Sequence, residues 1–205
     1  MVNNGIRTRA KCLIFILFIV SVGLAICLLC RELVGVCSRL LPRTQVLSAD
    51  LNGDGTNEQY YLGRGQLRVS QANKLIWSSD DRWWVDSFVL ADSNNDGVTE
   101  LNISLWKKGR FGSSKPFWIE DDQQTVSNHF FVYKMVENEI KMVWGSSDLK
   151  SPNCSFEIYD YDRDGKNELV VLEGIGKWYS RCVSTQFATW RWNGWGFTNL
   201  TRTEL

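Results

Sequence analysis

Three nine-residue segments carry oxygen-bearing side chains at the same intervals. They are Asp50, Asn52, Asp54 and Glu58; Asp92, Asn94, Asp96 and Glu100; and Asp160, Asp162, Asp164 and Glu168. Each reads D-x-[DN]-x-D-G-x-x-E, with Gly55, Gly97 or Gly165 in sixth place. When such a segment coils tightly, the side chains at positions one, three and five converge and the glycine permits the sharp turn. The seventh carbonyl (Thr56, Val98, Lys166) then points inward, and the ninth carboxylate closes the shell. These are hard oxygen donors. With three carboxylates in each of the first two loops and four in the third, every loop more than neutralises a divalent cation. Magnesium fits such a flexible cage less well, so calcium, up to three ions, is the expected occupant.

An EF-hand begins the same way but requires a bidentate Glu at position twelve and flanking helices. Position twelve here is Tyr61, Ile103 or Val171. The residues after each loop, Glu58 to Leu62, Glu100 to Trp106 and Glu168 to Leu172, are rich in β-branched and aromatic side chains and predict strands. A single copy reads equally well as a metal-free polar turn; recurrence at fixed spacing favours ions. The pattern resembles the FG-GAP and VCBS-type repeats of integrin-like β-propellers. The resemblance implies a calcium loop between the first two strands of each blade, with ligand roles on the side chains named above and on the carbonyls of Thr56, Val98 and Lys166. Glu stands in ninth place where the integrin loops usually have Asp, and three repeats are fewer than an integrin head's seven blades.

Strands must position these loops. Lys74 to Ser78 precedes the second loop much as Lys141 to Gly145 precedes the third, placing Trp77 and Trp144 equivalently, and Asn193-Gly194 signals a hairpin turn. Each unit reads as about four short antiparallel strands, the composition of a propeller blade. The expected fold is all-β, three blade-like repeats over residues 44–205. Three arrangements are open: an incomplete or open array, a ring completed by a second chain, or a small closed ring. The open array is favoured, because its long loops and terminal aromatic strand can cap it.

The first two loops begin 42 residues apart and the last two 68 apart, which places an insertion of about 26 residues between Trp106 and Asn128. It contains Lys107, Lys108, Arg110, Phe111, Lys115 and Trp118, and a shorter loop in the third unit contains Lys177, Trp178, Tyr179 and Arg181. Aromatic rings beside cations suit a saccharide face or an anionic peptide. Burial of Trp118 and Trp178 against their own units is the simpler expectation. The single histidine, His129, lacks a nucleophile motif and reads as a hydrogen-bonded structural residue. Cys154 and Cys182 either close a disulfide loop or remain two buried thiols.

Twenty-three Lys+Arg balance 23 Asp+Glu, which excludes a polybasic nucleic-acid binder. Residues 12–30 form a nineteen-residue stretch without a charge, about long enough to cross a bilayer. With Arg7, Arg9 and Lys11 before it, the stretch predicts a single-pass anchor, a cytoplasmic tail at 1–11, a juxtamembrane linker at 31–43 and an extracytoplasmic domain. Cys37 is placed for an intermolecular disulfide and hence a homodimer; palmitoylation or a free thiol is equally compatible. The expected function is a membrane-anchored calcium-binding module for a protein or glycan ligand. The alternative is a calcium-dependent polysaccharide-acting enzyme, although no acid/base pair stands at a defined separation. A calcium sensor is a third class, but the eleven residues before the anchor are too few for an output domain.

Overall fold

A computed structural model describes residues 44–111, 115–122, 124–178 and 180–205. The expected tail, anchor and linker at 1–43, Cys37 among them, fall outside the described residues, as does Tyr179. No helix among the described residues is long and apolar enough to cross a membrane.

The described residues from Thr44 onward form one compact unit. It consists of twelve strands: β1 (Gln45–Ala49), β2 (Glu58–Gly63), β3 (Gln66–Gln71), β4 (Lys74–Ser78), β5 (Trp84–Ala91), β6 (Glu100–Lys108), β7 (Val126–Val136), β8 (Glu139–Gly145), β9 (Asn153–Tyr159), β10 (Glu168–Ile175), β11 (Val183–Trp192) and β12 (Phe197–Glu204). They form three four-stranded sheets, β1–β4, β5–β8 and β9–β12, in each of which sequence neighbours are paired. All the pairings are antiparallel. The all-β reading and its four strands per unit therefore hold.

Two hydrophobic cores separate the sheets. The first joins Tyr60, Leu62, Leu67 and Val69 of sheet one to Leu101, Ile103, Leu105, Phe131, Tyr133 and Met135 of sheet two. The second joins Phe130 and Val132 of sheet two to Phe156, Leu169 and Val171 of sheet three. Sheet two is thus covered on both faces, and its inner strands show it: every residue from Glu100 to Trp106 is buried, whereas β2 alternates buried and exposed as a half-covered strand does. The two equivalent tryptophans take equivalent seats on the fourth strands. Trp77 meets Tyr133 of sheet two at 5.3 Å between ring centroids, and Trp144 meets Phe197 of sheet three at 5.3 Å.

The Asn193-Gly194 turn joins β11 to β12, with Asn193 N donating to Gly196 O at 2.9 Å and Gly194 at a φ of 104°. The aromatic run at 189–197 is accordingly the end of one strand and the start of another, and β12 continues to Glu204. The insertion in the second unit lengthens the β6–β7 hairpin and adds a loop over 109–125.

His129 on β7 is fully buried, its Nδ1 lying 3.2 Å from the Ser146 carbonyl and its Nε2 3.1 Å from the Gly109 carbonyl and 3.1 Å from Ser127 Oγ. Burial holds the imidazole below its ordinary value. The Ser146 carbonyl opposes this, Lys107 reinforces it, and the Gly109 carbonyl and Asp148 oppose it more weakly. The fold therefore favours neutral His129. The stability this contributes is fully present above the unfolded-state value of about 6.5 and is lost as pH falls below it toward the depressed folded-state value. His129→Gln should flatten that part of the fall in thermal midpoint between pH 7.5 and 5; parallel profiles for the two proteins would contradict this.

Candidate cation sites

Each acidic loop joins the first two strands of its sheet. The ladder closes on Ala49 opposite Glu58, Ala91 opposite Glu100, and Tyr159 opposite Glu168. The eight intervening residues follow one backbone path. Position four is left-handed in all three, with φ of 73° at Gly53, 61° at Asn95 and 64° at Arg163, and the position-six glycines have φ of 85°, 84° and 88°. A φ near 85° lies beyond the narrow left-handed region that Asn95 and Arg163 enter at position four, which accounts for the recurrence of glycine at position six.

Side chains hold the path in place. The first aspartate accepts from the N–H of position six: Gly55 to Asp50 at 2.8 Å, Gly97 to Asp92 at 2.8 Å, Gly165 to Asp160 at 2.9 Å. Position three accepts from position five (Asp54 to Asn52 3.0 Å, Asp96 to Asn94 3.0 Å, Asp164 to Asp162 3.2 Å). Position five accepts from position seven (Thr56 2.7 Å, Val98 3.0 Å, Lys166 3.0 Å). The ninth residue does most. Glu58, Glu100 and Glu168 are 0%, 0% and 1% exposed, and Oε2 of each accepts the N–H of position two, from Leu51 at 2.8 Å, Ser93 at 2.8 Å and Tyr161 at 2.9 Å. One carboxylate oxygen thus ties the loop shut while Oε1 remains for its centre.

Carboxylate oxygens of Asp92, Asp96 and Glu100 lie within 4.8 Å of one another, as do those of Asp160, Asp162 and Glu168. This chemistry suits a hard cation. Three residues that sequence reasoning missed also face the loops, each from the third strand of its sheet. Gln71 Nε2 donates to Asp54 Oδ2 at 2.8 Å, to the Thr56 carbonyl at 3.0 Å and to Glu58 Oε1 at 3.2 Å. Lys134 Nζ pairs closely with Asp96 and lies 3.4 Å from Glu100 Oε1. Arg191 pairs with Asp162 at 2.9 Å, Asp164 at 2.9 Å and Glu168 at 2.5 Å.

The titrations follow. Asp54 is held below the ordinary carboxylate value by Gln71 and by the Thr56 N–H, and Asp96 by Lys134. Burial pushes Glu100 up against the Ser93 N–H and Lys134. Burial opposes the charge of Lys134, yet Asp96 and Glu100 outweigh it and raise its value. Glu168 foremost raises Arg191.

The loops are joined to their surroundings. Asn95 accepts the Asn167 N–H at 2.6 Å and donates to its carbonyl at 3.1 Å, while Asn167 Nδ2 donates to the Asp92 carbonyl at 2.8 Å, tying loop two to loop three. Asn52 Nδ2 donates to Asn138 Oδ1 at 2.7 Å, tying loop one to the β7–β8 turn. Asn95→Ala should cost about 1–2 kcal/mol in denaturant unfolding, since it removes two of the three inter-loop bonds and puts alanine in a left-handed conformation. A change within a few tenths would contradict that role.

The candidate ligand-binding residues are dispersed. Lys107 lies in β6 with burial depressing its amine, and Arg110 pairs with Asp148 at 3.4 Å. The expected burial of Trp118 and Trp178 does not occur: Phe117 and Trp118, edge to face at 4.8 Å, are 92% and 68% exposed, and Trp178 is exposed as well. Trp178 is 43% exposed and meets Trp84 of β5 at 6.0 Å; Arg181 is exposed. Cys154 and Cys182 are joined by a disulfide, Cα atoms 5.2 Å apart. No family model, curated protein or solved structure is significantly similar to this chain.

Proposed function

We propose that the chain is a membrane-anchored, extracytoplasmic calcium-binding repeat domain that presents exposed loops to a protein or carbohydrate. The observation that carries this reading is the threefold recurrence of one loop at one strand junction, each with a fully buried ninth-position glutamate holding an oxygen toward the loop centre. A buried carboxylate is costly to desolvate without a counter-charge; Lys134 and Arg191 stand beside Glu100 and Glu168, while the described partners of Glu58 are the neutral Gln71 amide and the Leu51 N–H. The sheets act as propeller-like blades in an open array, as the resemblance to FG-GAP and VCBS-type repeats implies. The Cys154–Cys182 disulfide supports an oxidising compartment, and the charge-free 12–30 segment supports the anchor.

Phe117 and Trp118 supply the contact surface: two adjacent, outward-facing rings suit a sugar face or an apolar peptide side chain. The test is binding of the full chain, in detergent, to glycan and peptide panels with calcium or with chelator. Retention that needs calcium and is lost in Phe117→Ser/Trp118→Ser supports the module. Retention indifferent to both changes, or turnover of a glycan, contradicts it.

A further inference from the structure

Sheets two and three do not close fully on one another. Between them lies a cavity of about 140 Å³, walled by Phe130 and Trp144 from sheet two and by Leu169, Val171, Trp190 and Phe197 from sheet three. All six belong to the second hydrophobic core. The exposed residues Lys150 and Arg202 also border the cavity, which reaches the surface there.

One carboxylate stands among these apolar walls. Glu173 lines the cavity and is 4% exposed. It shares the inward face of β10 with Leu169 and Val171. The interval from Glu168 to Glu173 recurs from Glu100 to Leu105, so sheet two has a fully buried leucine where sheet three has this glutamate. Both ladders of β10 shift register here, against β9 between Leu172 and Glu173 and against β11 between Glu173 and Gly174. Irregularities of this kind re-aim a side chain. Only one of the two carboxylate oxygens is used: Oε1 accepts from Trp190 Nε1 at 3.2 Å and from Arg202 at 3.1 Å. Oε2 is buried with no hydrogen-bond partner. A leucine would complete the core, whereas a bare carboxylate oxygen is unfavourable until a donor reaches it.

The walls and the charges specify what carries that donor. A volume of about 140 Å³ is close to that of an engineered cavity of roughly 150 Å³ that takes benzene, so a single ring fits. The aromatic and aliphatic lining disfavours a sugar, whose several hydroxyls would lose water with few groups to receive them. A cation is disfavoured too. Arg202 is already the counter-ion of Glu173 and lies over the Trp190 ring at 5.3 Å, and Lys150 stands at the opening, so a further positive charge is repelled. A neutral ring with one O–H or N–H meets every condition, its donor on Oε2 and its apolar body against the walls.

We propose that this cavity binds a small, neutral, phenol-like ring, with Glu173 Oε2 accepting its single donor. None of the lining residues belongs to an acidic loop, so the site is independent of calcium.

The test is the indole N–H spectrum of the isotope-labelled full chain in detergent micelles and chelator, titrated with phenol and with toluene, which has the same shape and no donor. Trp144 and Trp190 border the cavity, whereas Trp195, 79% exposed on the β11–β12 turn, reports non-specific contact. Phenol should shift the two cavity signals saturably, at a free concentration at least about tenfold below that needed for toluene, and leave Trp195 in place. Glu173→Leu, which copies the residue of sheet two, should reverse the order, because without the acceptor the more apolar toluene is preferred. If that variant does not fold, the order on wild type still decides. N-acetyltyrosinamide separates the two carriers of such a ring: binding equal to that of phenol supports the site as a seat for a partner's tyrosine, and its exclusion supports a free molecule. Toluene binding wild type as tightly as phenol, or no saturable shift with either compound, would overturn the proposal; the second result would leave Oε2 to an ordered water.

Discussion

Replacing Glu168 with alanine should destabilise the domain by about 2–4 kcal/mol, the cost of leaving a loop N–H unsatisfied and a partly exposed arginine short of one carboxylate. Two losses combine. The Tyr161 N–H loses its only described acceptor, the bond that ties position two of the loop to the strand after it. Arg191, with only 24% of its side chain exposed, loses its shortest carboxylate partner and retains Asp162 and Asp164 at the rim. Glu168→Ala/Arg191→Met should therefore recover part of the loss, because no arginine is left beside a missing carboxylate; Asp162 and Asp164, at the exposed rim, lose their partner at smaller cost. Glu58→Ala should cost less, about 1–3 kcal/mol, since the partner it abandons is the neutral Gln71 amide. Urea unfolding of these proteins and of Arg191→Met checks the series. A cost below about 1 kcal/mol for Glu168→Ala, or purely additive effects in the double variant, would show that the ion pair does not hold the loop.

Replacing Cys154 and Cys182 together with alanine should cost about 3–4 kcal/mol, the loop-closure entropy expected for a bridge across 28 residues. The bridge links β9 to the connection between β10 and β11, so it encloses loop three and the whole of β10. Without it, the unfolded chain gains freedom in this segment, and sheet three must be held by its ladders and by the core around Phe156, Leu169 and Val171. The thermal midpoint of the variant should be several degrees lower, and reductant should lower the wild-type midpoint to match. A midpoint insensitive to both changes would contradict this contribution. The bonds that shape loop three are local to it, so circular dichroism at low temperature should change little.

Much of the fold is legible because its signals are local. The loop spacing locates the junction between first and second strands three times over, and the Asn193-Gly194 turn is a hairpin signal in the right place. Alternation is readable in β2, where Glu58, Tyr60 and Leu62 face inward. It fails in β6, where Asn102 and Ser104 are as buried as Leu101 and Ile103 because a sheet lies on each side. The ring of residues around the loop centres was hidden for a different reason. Gln71 follows Glu58 by 13 residues across a tight turn at Arg64-Gly65, an interval that symmetry about that turn would have predicted. Lys134 follows Glu100 by 34 residues and Arg191 follows Glu168 by 23, because connections of different length intervene. No constant spacing marks them, and only the strand register brings them to the same place. Trp118 escaped for want of any signal: an aromatic residue in a long loop reads the same whether it turns inward or out.

The most direct test of calcium binding by the acidic loops is thermal unfolding of the full chain in detergent, in saturating calcium and in chelator, beside a calorimetric titration that supplies the dissociation constant. One site held at a hundred times that constant adds about 2.7 kcal/mol to stability. A saturable heat with a chelator-reversible rise in midpoint of at least that size is the expected result. No heat and superimposable unfolding curves would mean that the loops are held by their own side chains alone, and that calcium has no part in this protein.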